Sequence, residues 1–158
     1  RDWLGDDSPS CELNVIETEG SFYGYPFKHA KNVIDPEFGH LIPSIEKKFI
    51  DPIAELGPHV APLGIAFYDE DIFPAKYKNS LFVALHGSWN RTKKSGYKLV
   101  FIQLDDEGNY VSQEDFITGW LSSESAWGRP VSPYIMSDGS MLLSDDKHNV
   151  VYRISYKG

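Results

Sequence analysis

Pro62-Leu63-Gly64-Ile65-Ala66-Phe67-Tyr68 runs into a polar turn and is followed by Ser80-Leu81-Phe82-Val83-Ala84. A second polar loop leads to Tyr97-Lys98-Leu99-Val100-Phe101-Ile102. Each segment is short, rich in β-branched and aromatic residues, and bounded by turn formers, so each reads as a strand. The same order returns downstream. Pro130-Val131-Ser132-Pro133-Tyr134-Ile135-Met136 turns at Asp138-Gly139 into Ser140-Met141-Leu142-Leu143-Ser144, and Asn149-Val150-Val151-Tyr152-Arg153-Ile154 closes the unit. Strand, turn, short strand, polar loop, strand, repeated at about 40–50 residues, is the signature of a β-propeller blade. An ordinary β-sandwich of similar hairpins is the alternative.

Outward from these repeats, strands are expected over Glu12–Thr18, Leu63–Tyr68, Leu81–His86, Tyr97–Leu104, Asn109–Ile117, Ser140–Ser144 and Asn149–Tyr156. Turn chemistry separates them, with Asp138-Gly139 the strongest hairpin signal. Ile45, Phe49, Ile53 and Leu56 fall near helical spacing, but Pro52 interrupts them. Pro43–Pro62 therefore reads as a long connection with one or two helical turns at most. Residues 20–43, rich in Gly, Pro and aromatics, read as an ordered excursion.

The chain has 158 residues, a net charge of −8, 41% hydrophobic and 14% aromatic residues, so it is long and apolar enough to build a core. No apolar run approaches the ~20 residues of a membrane-spanning helix. The acidic balance argues against nucleic acid as a partner, because phosphate contacts need clustered Lys and Arg; the one short basic cluster is Arg91, Lys93, Lys94 and Lys98. The single Cys11 excludes an internal disulfide and a Cys-based zinc site. Arg1 rather than Met opens the sequence, which suggests processing or a piece of a longer protein.

Glu12-Leu13-Asn14 with Tyr23-Gly24-Tyr25-Pro26, His59 through Tyr68, Phe73-Pro74, Leu81 through Arg91, Gly128-Arg129-Pro130-Val131, Asp138-Gly139-Ser140, Ser144-Asp145-Asp146 and Val151-Tyr152-Arg153-Ile154 stand in one order along the chain. Together they resemble the glucose/sorbosone dehydrogenase family of soluble quinoprotein sugar dehydrogenases, the sorbosone dehydrogenase-like branch best of all. The resemblance implies an all-β, six-bladed β-propeller with pyrroloquinoline quinone (PQQ) and Ca2+. It implies oxidation of an aldose, sorbosone or related sugar, with an external electron acceptor. Arg1 through Asp7 resemble a mid-protein stretch of the family. Residues 1–158 are thus expected to be a C-terminal portion of about three blades. The first blade is incomplete, with blade-like repeats at about 59–118 and 128–158. The family's general-base histidine, in a Gly-His/Leu-Arg-Asn segment, is expected upstream of Arg1. This portion alone is expected to be inactive, and to associate with its missing N-terminal half or another copy. The family also implies a periplasmic or secreted location.

The resemblance carries over to particular residues. Arg129 is the candidate partner of PQQ, since a planar guanidinium suits a carboxylated quinone; where the glucose dehydrogenases have a second Arg two residues on, this chain has Val131. Arg91, or Lys93 or Lys94 beside it, is a candidate second cation. His59 and His86 are candidates for the rim of the cofactor pocket. Glu12 and the carbonyl of Tyr23 match calcium positions, and hard oxygen donors suit that ion. Trp89, Trp120 and Trp127 could stack on a sugar or pack in the core. Asp69-Glu70-Asp71, Asp105-Asp106-Glu107 and Asp145-Asp146 read as solvated turn acids. His86-Gly87-Ser88 lacks the strand–Gly-x-Ser-x-Gly–helix setting of a serine hydrolase. Two other classes stay open: a non-catalytic propeller module that binds carbohydrate or protein, and a metal-dependent lactone or ester hydrolase.

Overall fold

The computed structural model describes residues 3–46 and 48–157. The chain divides into two compact units, Arg1–His59 and Val60–Gly158. Both are built from antiparallel strands.

In the first unit, β1 (Ser10–Leu13) meets a strand far along the chain. Two short strands, β2 (Lys28–His29) and β3 (Val33–Ile34), form a hairpin inside the excursion. A six-residue 3-10 helix, Gly39–Ser44, follows, and β4 (Ala54–Pro58) then pairs with β1 from Ser10↔Pro58 to Leu13↔Ala54. Two expectations are corrected here. The strand expected over Glu12–Thr18 ends at Leu13, because Val15 has its carbonyl taken by the Tyr23 hydroxyl at 2.7 Å and Asn14 turns its side chain onto Glu12. The Pro43–Pro62 connection contains β4. Ala-Glu-Leu-Gly-Pro reads as a turn because of its last two residues, yet the pairing with β1 makes it a strand.

The second unit holds two sheets. β5 (Pro62–Tyr68), β6 (Ser80–Leu85), β7 (Lys98–Leu104) and β8 (Tyr110–Ile117) form a four-stranded meander in chain order. A small ribbon of β9 (Leu121–Ser122) and β10 (Ser125–Ala126) follows. β11 (Pro130–Ile135), β12 (Met141–Asp145) and β13 (Val150–Ile154) make a three-stranded sheet, again in chain order. Asp138-Gly139 lies in the β11–β12 turn, where its hairpin signal puts it.

Alternation along the strands decides the core. Phe82 and Ala84 of β6, Leu99 and Phe101 of β7, and Tyr68 of β5 share a buried cluster with Met141 and Leu143 of β12, together with Phe73 and Trp120. Every residue of β6 is buried, as befits a strand covered on both faces. Burying a Phe or Leu side chain contributes about 1.5–3 kcal/mol. A polar atom buried in this core is satisfied: the Tyr68 hydroxyl donates to the Gly139 carbonyl at 3.1 Å and accepts from the Phe73 amide at 2.9 Å. That pair of bonds ties the meander to the β11–β12 turn. Among the described residues no helix is long and apolar enough to cross a membrane.

Candidate functional site

Antiparallel pairing gathers three strand ends at one edge of the meander and two at one edge of the three-stranded sheet in the second unit, and hydrogen bonds join the two edges. β5 begins where β6 ends, through Pro62↔Leu85, and β7 begins there too, through Leu85↔Lys98. β11 begins where β12 ends, through Pro130↔Asp145. The residues just outside these strands therefore meet: His86 and Gly87 after β6, Tyr97 before β7, Arg129 before β11, and Asp145 with Asp146 at the end of β12.

Arg129 joins the two sheets. Its Nε donates to the His86 carbonyl at 3.0 Å and its Nη2 donates to the Gly87 carbonyl. The guanidinium carbon lies 5.4 Å from the centroid of the Tyr97 ring, within cation–π range. A guanidinium carries five N–H donors, and these bonds use two. Among the described residues no carboxylate pairs with it. It is thus a half-buried cation, fixed in position by neutral groups and with N–H donors to spare.

The platform under Arg129 is itself held. The amides of His86 and Gly87 donate to the carbonyls of Ala61 and Val60 at 3.0 and 2.9 Å. Gly87 has φ +101°, and a Cβ there would sit 2.5 Å from the Tyr97 ring, so only glycine brings the ring and the carbonyl together. The Tyr97 hydroxyl donates to the Ser88 carbonyl.

Asp145 corrects the sequence reading of a solvated turn acid, whereas Asp146 is exposed as that reading has it. Asp145 is 2% exposed. Its Oδ1 accepts from the amides of Arg129, Lys147 and His148 at 2.9, 3.0 and 2.8 Å, and its Oδ2 accepts from the Tyr152 hydroxyl at 3.1 Å. Burial pushes its pKa up, but the bonds from Arg129, His148, Tyr152 and Lys147 outweigh burial and hold it below the usual carboxylate value. Burial pushes the Tyr152 hydroxyl up, and the Asp145 charge adds to that. Asp146 is exposed but reaches the His86 ring, with Oδ1 2.9 Å from Nε2. The signal for this was present in the repeat. His86 and Asp145-Asp146 occupy the same place in the two copies, at the end of the second strand, where strand ends converge.

The structure thus brings His86 and Arg129 together. Arg91, in the loop after β6, donates from Nη1 to the Lys93 carbonyl; Lys94 of the same loop binds Glu124, its amide donating to Oε2 at 2.6 Å. Trp89 is exposed, whereas Trp120 is a core residue at 4% exposure, its Nε1 3.3 Å from the Tyr152 hydroxyl. Trp127 donates from Nε1 to the Gly119 carbonyl at 2.7 Å.

The other three candidates lie in the first unit. His59 adopts φ +58°, places Nε2 2.7 Å from the Gly5 carbonyl and lies 4.5 Å from the Trp3 ring, so it fastens the start of the chain. Glu12 accepts from the Ala30 amide on Oε1 at 2.6 Å and from Asn14 Nδ2 on Oε2 at 2.9 Å. Tyr23 uses its hydroxyl on Val15. Among the described residues no three His, Cys, Asp or Glu side chains gather to hold a metal ion. The first unit also contains a His–Asp pair that carried no sequence signal. Buried His29 lies with Nε2 2.8 Å from Asp35 Oδ2. This bond to His29, with the amides of Phe38 and Glu37, holds Asp35 below the usual carboxylate value.

Comparison with known proteins adds to this geometry. The TrAA12-like family model matches residues 44–157. An uncharacterized protein of Borreliella burgdorferi is 41% identical over 159 residues, covering 99% of this chain and 42% of that protein. A pyrroloquinoline quinone-dependent pyranose dehydrogenase of Coprinopsis cinerea is 42% identical over 53 residues, 34% of this chain and 6% of that protein. The holo form of the pyranose dehydrogenase PQQ domain from that organism superposes with a TM-score of 0.55 at 28% identity, over 68% of this chain and 30% of that one. The calcium structure of the Trichoderma reesei carbohydrate-active enzyme of family AA12 superposes with a TM-score of 0.72 at 20% identity, over 98% of this chain and 44% of that one; this likeness is one of fold. The chain spans less than half the length of each of these relatives.

Proposed function

The chain belongs to the TrAA12-like family, and from that premise we propose that it forms part of a PQQ-dependent sugar oxidoreductase. The observation that carries the reading is Arg129: a half-buried guanidinium fixed on the carbonyls of His86 and Gly87, facing no carboxylate of the described residues. Such a cation fits an anionic, carboxylated cofactor, because its remaining N–H donors can make charge-assisted bonds without reorganising. PQQ, when bound, supplies the hydride-accepting quinone; the protein supplies position and charge. Arg129 would bind the cofactor's carboxylate, and Tyr97 and Gly87 would keep the guanidinium in place. His86 would stand at the rim of the same site, with Arg91 a further cation in the neighbouring loop. His59 is proposed for the rim from the resemblance alone.

The substrate in this proposal is an aldose, sorbosone or related sugar, and the electrons leave to an external acceptor. The general-base histidine is proposed to lie in sequence outside this chain. The proposal includes a propeller of six blades, of which this chain contributes about three, and a periplasmic or secreted location. β5 presents Leu63, Ile65 and Phe67 at 50–65% exposure, and further blades or a second copy would cover them. Calcium is proposed at Glu12 and the Tyr23 carbonyl. Oxygen donors suit that ion, and each Glu12 oxygen accepts one hydrogen bond here, so backbone carbonyls and water would have to complete the shell.

The test is dye reduction by the full-length protein loaded with PQQ and calcium, across a panel of aldoses. Turnover that depends on PQQ supports the reading. No turnover by well-folded, PQQ-supplied protein across the panel would falsify it.

A further inference from the structure

His86 and Asp146 come from two different sheets, yet Nε2 of the one lies 2.9 Å from Oδ1 of the other. The His86 side chain is 17% exposed and Asp146 61% exposed. The backbone of the same histidine is fixed twice, by its amide on the Ala61 carbonyl and by its own carbonyl under Arg129 Nε. A neutral imidazole has one N–H and one acceptor nitrogen, and a carboxylate can only accept. The Asp146 contact therefore puts the proton on Nε2 and leaves Nδ1 as the acceptor. Among the described residues Nδ1 has no hydrogen-bond partner. The side chain is partly exposed, and Nδ1 is not among the buried, unpartnered polar atoms of the described residues.

We propose that Asp146 is a positioning residue: it fixes the ring of His86, whose own carbonyl holds Arg129, so that Nδ1 serves as an acceptor for a hydroxyl hydrogen of a bound sugar. The identity of that ligand rests on the function proposed above; the positioning of the ring does not. A second anchor makes the arrangement specific. Asp145, the residue before Asp146, accepts from the Arg129 amide, so one dipeptide sets both the imidazole and the backbone that carries the cation.

The test has two arms. In the first, the full-length protein labelled with 15N-histidine is followed by imidazole NMR at about pH 9, well above the ordinary histidine pKa of about 6.5, with the His86 signals assigned by comparison with His86→Gln. His86 is expected to show a slowly exchanging Nε2–H and an acceptor-type Nδ1. Asp146→Ala should lose the N–H signal, and Asp146→Glu should restore it in part. An unchanged His86 ring spectrum in Asp146→Ala overturns the proposal, whatever the activity. In the second arm, full-length protein loaded with PQQ is assayed for sugar oxidation. Loss of one hydrogen bond of ordinary strength should raise KM about tenfold in Asp146→Ala. Asp146→Glu should recover most of the KM. An altered spectrum with unchanged KM overturns the hydroxyl role. If no variant, wild type included, turns over sugar, the proposed function fails, and the NMR arm still decides whether Asp146 positions the ring.

Discussion

Replacing Asp145 with Ala should destabilise the chain far more than replacing it with Asn. At 2% exposure the carboxylate accepts four hydrogen bonds, three on Oδ1 and one on Oδ2. Lys147 and His148 are exposed, so their amides find water when the carboxylate goes. The Arg129 amide and the Tyr152 hydroxyl are less accessible, and a stranded donor costs about 1–3 kcal/mol. Two such donors, with the charge-assisted bonds lost, put Asp145→Ala at about 4 kcal/mol. Asp145→Asn keeps an oxygen for the amides, and Tyr152 can turn its hydroxyl to accept, so its cost is about 1–1.5 kcal/mol. Urea unfolding followed by circular dichroism measures both. The pH dependence supplies an independent check. The folded pKa of Asp145 is depressed, so its stabilisation is present above the unfolded value of about 3.9 and is lost as pH falls through the folded value. Asp145→Asn should lack that acid-range component. A cost below about 1 kcal/mol for the Ala variant, or equal costs for Ala and Asn, would mean that the four bonds to Asp145 do not hold this turn.

Gly87→Ala forces a Cβ to 2.5 Å from the Tyr97 ring at φ +101°. It should lower Tm and weaken PQQ binding together, which thermal melts and a cofactor titration would register. Tyr68→Phe removes the bond to the Gly139 carbonyl and strands the Phe73 amide, for an expected cost of about 1–3 kcal/mol in chemical unfolding. Phe82→Ala empties a site at 0% exposure between the two sheets, with an expected loss of about 3–5 kcal/mol. Glu12→Gln keeps an oxygen for the Ala30 amide but drops the charge; calcium affinity measured against a competing chelator should fall at least about tenfold, and an unchanged affinity removes Glu12 from the proposed calcium site.

The strands of the second unit were legible because their sequences are locally consistent. Tyr97-Lys98-Leu99-Val100-Phe101-Ile102-Gln103-Leu104 is β-branched and aromatic, and it becomes β7 within one residue of its expected start. Asp138-Gly139 marks its turn for the same reason. The first unit was harder to read because its order comes from long-range bonds. β4 exists only by pairing with a strand some 45 residues earlier, and its own residues look like a turn. The site divides in the same way. Arg129 is singled out by resemblance alone, and the two carbonyls that hold it come from the loop after a strand of another sheet. Asp145 and Asp146 looked like any acidic turn. The burial of Asp145 and the reach of the pair to Arg129 and His86 depend on which strand ends meet, and that is a property of the pairing rather than of the dipeptide.

Arg129 is proposed to hold an anionic quinone at the shared sheet edge, and the direct measurement is the PQQ dissociation constant of the full-length protein against Arg129→Gln and Arg129→Lys. The loss of a bidentate charge-assisted pair should weaken binding about 100-fold or more in the Gln variant, with Lys intermediate because it keeps the charge but not the fork. A dissociation constant unchanged in Arg129→Gln, in protein that unfolds at the wild-type temperature, would mean that Arg129 does not hold the quinone.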